Sequence, residues 1–181
     1  MQINYFSQRM KKILETERLI LREFTHSDNQ FIIELLNTEG WLTNIGDRNV
    51  RTDEEAKNYL DNGPIKSYHD NGFGLYGVVL KDAGQPVGMC GFIKRPELED
   101  IDIGFAFLPE HSGKGYAYEI AKSTLAHGFK KLNFKRVVGI TVPENKSSIR
   151  LLEKLGLQNE KEIEKDNKTL LLFGINKATL V

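Results

Sequence analysis

Asp102 opens a short apolar stretch, Ile101-Asp-Ile-Gly-Phe-Ala-Phe-Leu108, and closes an acidic run that begins Glu97-Leu-Glu99-Asp100. Glu97 and Glu99 read as solvated charges. A carboxylate at the start of a half-buried strand is different. Partial burial raises its pKa toward that of a usable general base, and its charge suits a cationic substrate. The apolar stretch breaks at Pro109, and Glu110-His111-Ser112-Gly113-Lys114-Gly115-Tyr116-Ala117 then leads at once into a helix. Free backbone N–H groups at a helix N-terminus bind anions, and Gly113 and Gly115 have no side chain to hold a phosphate off the backbone. The donors would be amides from about His111 to Ala117, aided by the helix dipole. The layout points to a phosphate-bearing cofactor, and so to an enzyme. The spacing is not that of a P-loop, which needs Gly-Lys-Ser/Thr, nor of the dinucleotide fingerprint, which needs a third glycine. An isolated Gly-x-Gly is also compatible with an ordinary strand-to-helix turn.

A second segment runs Asn145-Lys-Ser-Ser148 through Leu155-Gly156-Leu157. Asn145 reads as a helix N-cap, Gly156 as the residue that ends the helix and Leu157 as its apolar follower. Ser148 falls on the same stripe as Leu151, Leu152 and Leu155, so its hydroxyl needs a partner or a role. Cys90, the single cysteine, sits in a glycine-rich apolar stretch with no histidine near it in sequence. It reads as a core thiol and not as an acyl carrier.

These residues need elements to position them. Residues 18–24 read as a strand and 27–37 as a helix, with Phe31, Ile32, Leu35 and Leu36 at helical spacing. Residues 38–51, which hold Trp41, have no clear period and read as a loop or broken helix. Thr52-Asp-Glu-Glu55 is a capping box, and the helix it starts is expected to stop at Gly63-Pro64. Residues 73–81 and 86–94 form a hairpin across Asp82-Ala-Gly84-Gln85. A strand over 101–108, a helix over 116–132, a buried strand over 136–142, the helix after Asn145 and a strand over 169–175 complete the order. The implied class is α/β (α+β): a mixed, mostly antiparallel sheet with helices on both faces.

The bulk properties exclude several classes. With 25 basic and 25 acidic residues in 181, the net charge is zero, and nothing global points to nucleic acid or an anionic membrane. No apolar run approaches a membrane span. One cysteine and no signal-like start suit the cytoplasm. Residues 1–12 read as a frayed N-terminal extension and 13–181 as a single domain; a monomer and a homodimer both remain open. No metal-ligand cluster stands out.

The ordered pair of motifs, Pro109-Glu-His-Ser-Gly-Lys-Gly-Tyr-Ala117 and Pro143-Glu-Asn-Lys-Ser-Ser-Ile-Arg-Leu-Leu-Glu-Lys-Leu-Gly156, resembles the GNAT superfamily of acetyl-CoA-dependent N-acetyltransferases. Within it the chain is similar to the branch that contains the ribosomal-protein N-terminal acetyltransferases, and Glu15-Thr-Glu-Arg-Leu-Ile-Leu-Arg22 resembles that branch too. The resemblance covers about residues 15–175. It implies a sheet splayed at the cofactor site, with the pyrophosphate over His111, Ser112, Gly113, Lys114, Gly115, Tyr116 and Ala117. The pantetheine arm would lie along Phe105, Ala106, Phe107 and Leu108, beside Asn145. The family's loop starts with Gln or Arg where Glu110 stands here, so that side chain should point away. Many relatives carry a tyrosine acid at the position of Leu152; the ribosomal-protein-like branch is thought to use a serine, which matches Ser148. Asp102 matches that branch's acidic base, and a backbone N–H near Phe107 would polarise the thioester oxygen. The acceptor, a primary amine on a protein N-terminus, a lysine or a small molecule, would enter past Trp41, Phe73, Tyr76 and Asp100. Trp41 also reads as a core anchor beneath its loop. A catalytically weak acyl-CoA-binding or sensor domain is the alternative function.

Overall fold

A computed structural model of the chain describes residues 11–179. Eight strands form one sheet in the order β1-β2-β3-β4-β5-β6-β8-β7. These are β1 (Lys12–Glu15), β2 (Leu19–Arg22), β3 (Leu75–Leu80), β4 (Pro86–Ile93), β5 (Ile101–Phe107), β6 (Arg136–Thr141), β7 (Gln158–Lys165) and β8 (Lys168–Asn176). Every neighbouring pair is antiparallel except β5 with β6. The helices are α1 (Asn29–Leu36), α2 (Glu39–Asn44), α3 (Asp53–Leu60), α4 (Lys66–Asn71), α5 (Tyr116–Lys130) and α6 (Lys146–Lys154).

Alternation along the strands divides the core in two. Ile103, Tyr76, Val78, Phe92 and Val137 face one way and pack with Ile120, Leu125 and Phe129 of α5 and Leu152 of α6. Met89 and Leu75 face the other way, toward Ile32 and Leu35 of α1, Trp41 of α2 and Ala56 and Leu60 of α3. The result is the expected mixed sheet with helices on both faces, and residues of β5 look alternately into the two layers.

Three elements differ from their expected form, and residues 38–51 take the broken-helix form of the two expected. The helix begun by the Thr52 capping box does not stop at Gly63-Pro64: a π turn over Asp61–Ile65 carries it into α4, and Gly72 ends it at φ 75. The wider turn accommodates a proline ring that would strike the preceding turn of an α-helix. Residues 38–51 hold α2, capped by Thr38, whose hydroxyl accepts from the Trp41 amide at 3.3 Å, before the chain becomes irregular. β7 has one large apolar residue, Ile163, and so shows no alternation; it exists because β8 offers it an edge, and its charges guard that edge against a second chain. Lys12 lies in β1, so the extension expected over 1–12 is shorter than that; the reading of residues 1–10 as frayed lies outside the described residues. No described helix is long and apolar enough to cross a membrane.

Close approach of β3 and β4 depends on Gly91, paired with Leu75. A Cβ there would meet the Leu75 Cα at 2.8 Å and the Gly74 carbonyl closer still. Both are backbone atoms and cannot swing away. Gly91→Ala should therefore destabilise the fold by about 1–3 kcal/mol. Urea unfolding checks this, and a wild-type midpoint would refute the packing account.

Candidate functional site

Strands β5 and β6 pair at Ile101 with Val137 and at Asp102 with Val138, and no further. Beyond those positions β5 stays bonded to β4 and β6 to β8 while the two diverge. A groove of about 1430 Å³ occupies the wedge and continues over the face covered by α2 and α3. That exceeds an ordinary small-ligand pocket of roughly 300–1,000 Å³ and suits a long ligand plus a second one.

One wall is the inner edge of β5. The Leu108 amide donates to Val87 O at 3.0 Å, on the β4 side. Because amides alternate along a strand, those of Phe107 and Phe105 point toward the wedge. Phe105, Ala106 and Phe107 line the groove; the Leu108 side chain is buried in the core instead.

The groove ends at the loop before α5. Gly113 (φ 74) and Gly115 (φ 82) both take the left-handed conformation, which glycine alone adopts freely. The His111 and Ser112 amides are spent on the turn, donating to Leu108 O and Pro109 O at 3.0 and 3.1 Å. Among the described residues, the amides from Gly113 to Tyr118 have no acceptor, and no side chain caps α5. The free amides thus begin at Gly113, two residues later than the run expected from His111. The side chains of His111, Ser112, Tyr116 and Ala117 line the groove with the two glycines, whereas Lys114 does not. Glu110 is exposed and outside the lining, as its charge requires.

On the opposite wall Asn145 caps α6, its Oδ1 accepting from the Ser148 amide at 3.1 Å. Ser148 is half-buried and lines the groove, and its hydroxyl has no partner among the described residues. Leu152 is buried against Gly139, where a Cβ would come within 2.6 Å of its Cδ2. It offers no polar atom to the wedge.

Asp102 sits at the vertex, 2% exposed and facing the α1–α4 layer. Arg95 Nε donates to its Oδ2 at 2.6 Å, while its Oδ1 is buried with no partner. Burial pushes its pKa up to about 6, although the Arg95 cation and the nearby Ile140 amide pull it down. Trp41 lines the same side of the groove, 6% exposed, so it is also the core anchor that its type suggested.

Three residues expected at the acceptor end lie elsewhere. Phe73 packs edge-on against Phe92 and Phe134 at 6.3 and 5.1 Å in the core. Tyr76 is buried and stacked on Tyr68 at 5.1 Å. Asp100 accepts from Arg136 Nε at 2.9 Å, clear of the wedge. Strand alternation explains both aromatic cases: Tyr76 points into the α5 layer, and Phe73 precedes β3 and turns inward. Sequence reading also missed Arg95. The signal was available, since a hairpin that pairs Ile93 with Asp102 brings the next basic residues against the carboxylate. No signal pointed to Arg18, which reaches the α5 terminus from 101 residues away.

The wedge, the uncapped glycine loop and the buried carboxylate make a specific combination, and the acetyltransferase (GNAT) domain profile matches residues 18–158. The chain belongs to the GNAT acetyltransferase family. An uncharacterised N-acetyltransferase of Bacillus subtilis, YnaD, is 33% identical over 147 residues, 81% of this chain and 83% of that one. A crystal structure of a GNAT-family acetyltransferase from Bacillus anthracis is similar at TM-score 0.75 and 27% identity, covering 91% of this chain and 98% of that one. A ribosomal-protein-S5-alanine acetyltransferase from Vibrio fischeri shares the fold at TM-score 0.76 and 22% identity over 91% of this chain and 96% of its own. GNAT enzymes take their acetyl group from acetyl-CoA, and this chain is an acetyltransferase of that kind. The free amides of the α5 loop and the open edge of β5 fit a pyrophosphate and an amide-bearing arm. Among the described residues no cluster of His, Cys, Asp and Glu has metal-ligand geometry.

The Asp102 environment predicts a pH signature in stability. Its pKa is raised in the fold from 3.8 to about 6, so the stability it contributes is full below pH 3.8 and lost as pH rises through 6. Arg95 limits that loss. Arg95→Gln should raise the Asp102 pKa further and cost more stability at pH 8 than at pH 4. Urea unfolding of both proteins at the two pH values checks it; an equal cost would mean that Arg95 does not act through the carboxylate.

Proposed function

We propose that the protein transfers an acetyl group from acetyl-CoA to a primary amine by direct attack in a ternary complex. The observation that carries this reading is Asp102: a buried carboxylate at the wedge vertex, held on one oxygen by Arg95 and unpartnered on the other. Acetyl-CoA supplies a thioester activated toward an amine. The amides from Gly113 to Tyr118 hold the pyrophosphate, the open edge of β5 takes the pantetheine arm, and Asn145 lies beside it. Asp102 Oδ1 accepts the amine proton through a water, since its burial leaves no direct path. The Phe107 amide hydrogen-bonds the thioester oxygen as negative charge builds on it. As the new N–C bond forms and the C–S bond breaks, Ser148 gives its hydroxyl proton to the departing sulfur and regains one from solvent.

The acceptor that fits is the α-amine of a peptide N-terminus. An α-amine has pKa about 8 against about 10.4 for lysine, so more of it is neutral near pH 7. At the acceptor end the lining cations Arg48, Lys66, Lys94 and Arg95 outnumber Glu39, Asp70 and Asp102. That balance disfavours a polycation such as a polyamine. Leu42 and Ile45, 37% and 42% exposed on and just past α2, provide apolar surface for the residues that follow the amine. The Vibrio fischeri neighbour is named as acting on an alanine of a ribosomal protein, and a protein acceptor agrees with this reading. Cys90, buried beside Thr124 with its thiol pushed up to about 12, takes no part and suits a cytoplasmic protein.

Thiol release from acetyl-CoA with a panel of short peptides, lysine and spermidine tests the reading, with kcat/KM expected highest for peptides. A preference for spermidine would overturn the acceptor class, and acetyl-CoA binding without turnover would return the sensor reading. Ser148→Ala should lower kcat about 10²-fold or more. Asp102→Asn should abolish the fall in rate as pH drops through about 6. Unchanged kcat in the first, or a retained acid limb in the second, refutes the assigned role.

A further inference from the structure

We propose that Arg18 is a positioning residue that holds the α5 loop ready for the pyrophosphate, an inference that rests on the acetyl-CoA reading above. Three contacts of one guanidinium converge on that loop. Its Nε donates to Glu119 Oε2 at 2.7 Å, and a terminal nitrogen lies 2.7 Å from the same oxygen. Its other terminal nitrogen donates to Lys114 O at 3.1 Å. Its plane lies over the Tyr116 ring, 4.6 Å from the centroid.

Each contact bears on anion binding. In a trans peptide the C=O and the following N–H point opposite ways. Fixing the Lys114 carbonyl toward Arg18 therefore turns the Gly115 N–H away from it, toward the side an anion must occupy. Glu119 is the acidic residue of the first α5 turn. Left alone, its carboxylate would compete with a phosphate for the free amides of that turn and would repel it. Here both oxygens are engaged: Oε1 accepts from Thr16 Oγ1 at 2.6 Å and the Arg18 amide at 2.9 Å, and Oε2 accepts from the guanidinium. These bonds hold the Glu119 carboxyl below its ordinary pKa, so it stays ionised and turned aside. Arg18 itself is anchored at the end of the sheet, just before β2, its carbonyl accepting at 3.0 Å from the amide of Lys81, just after β3. The loop is thereby tied to β2 and β3 and not only to its own helix.

Lysine cannot replace this fork, because an ammonium presents no planar pair of donors to a carboxylate and a carbonyl at once. The test measures acetyl-CoA affinity by calorimetry, and kcat/KM with two donors, for wild type, Arg18→Lys and Arg18→Gln. Acetyl-CoA carries the pyrophosphate; acetylpantetheine does not. Both variants should bind acetyl-CoA roughly tenfold to hundredfold more weakly. The ratio of kcat/KM for acetyl-CoA over acetylpantetheine should fall by a similar factor. General damage to the fold would lower both donors together and leave the ratio intact, which would overturn the proposal, as would wild-type affinity in both variants. Failure of wild type to bind acetyl-CoA would instead refute the reading on which the proposal stands. Glu119→Gln, which keeps hydrogen-bonding atoms but removes the charge, should weaken acetyl-CoA less than Arg18→Gln; a greater loss would mean that Glu119, and not Arg18, organises the loop.

Discussion

The rest of the site depends on one constraint: β5 and β6 are held together at two residue pairs and apart everywhere beyond them. Each strand is bonded along its outer edge, β5 to β4 from Asp102 to Phe107 and β6 to β8 from Arg136 to Thr141. Their inner edges are left with peptide groups that need partners, and a dry, unpartnered peptide group costs about 1–3 kcal/mol. Water can serve, but a ligand with amides of its own serves the same edge and gains orientation from it. The chain leaves β5 at Leu108, closes a short turn over Pro109–His111 and enters α5, so the uncapped helix terminus lies at the mouth of the same wedge. An open strand edge and a set of free helix-start amides are thus provided by consecutive segments.

The vertex of the wedge also sets the chemistry. Asp102 occupies the last paired position, where the strands are still close enough to bury it but where opening begins one residue later. A carboxylate one turn of the pleat further along would be wetter and less basic. One earlier, at Asp100, lies before the strand and is about a third exposed. Arg95, delivered by the turn between β4 and β5, prevents burial from neutralising the group altogether, and it does so from one oxygen only. The pKa of Asp102 is therefore set by two opposing neighbours, the strand pair that buries it and the arginine.

What was legible in the sequence was local. The Thr52 capping box, the Asn145 cap, the Gly156 terminus and the two loop glycines each follow from backbone rules that act within a few residues, and all occur. The two layers of the core follow from strand alternation. What was not legible depended on partners distant in sequence. β7 borrows its structure from β8, the π turn at Pro64 is stabilised by the packing around it, and Arg18 meets Glu119 across most of the chain. Phe73 and Tyr76 show the same limit: an aromatic residue near a site in sequence was read as facing it, whereas its side of the strand sends it into the core.

The donor and acceptor halves of the groove are built differently, and this explains why one can be read and the other cannot. The donor half is mostly backbone: free amides, an open strand edge and a capped helix start, all fixed by sheet and helix geometry. Backbone groups recognise what is constant in a cosubstrate, and their placement leaves a glycine and proline signature. The acceptor half is side chains from α2, the irregular stretch 45–51, α3 and the π turn, converging from segments with no shared periodicity. Side chains can be exchanged without moving the sheet, so acceptor choice can vary on a fixed donor site. On the proposed reading, selectivity would therefore rest on a modest charge balance and an exposed apolar edge at Leu42 and Ile45, and the reaction itself on the wedge.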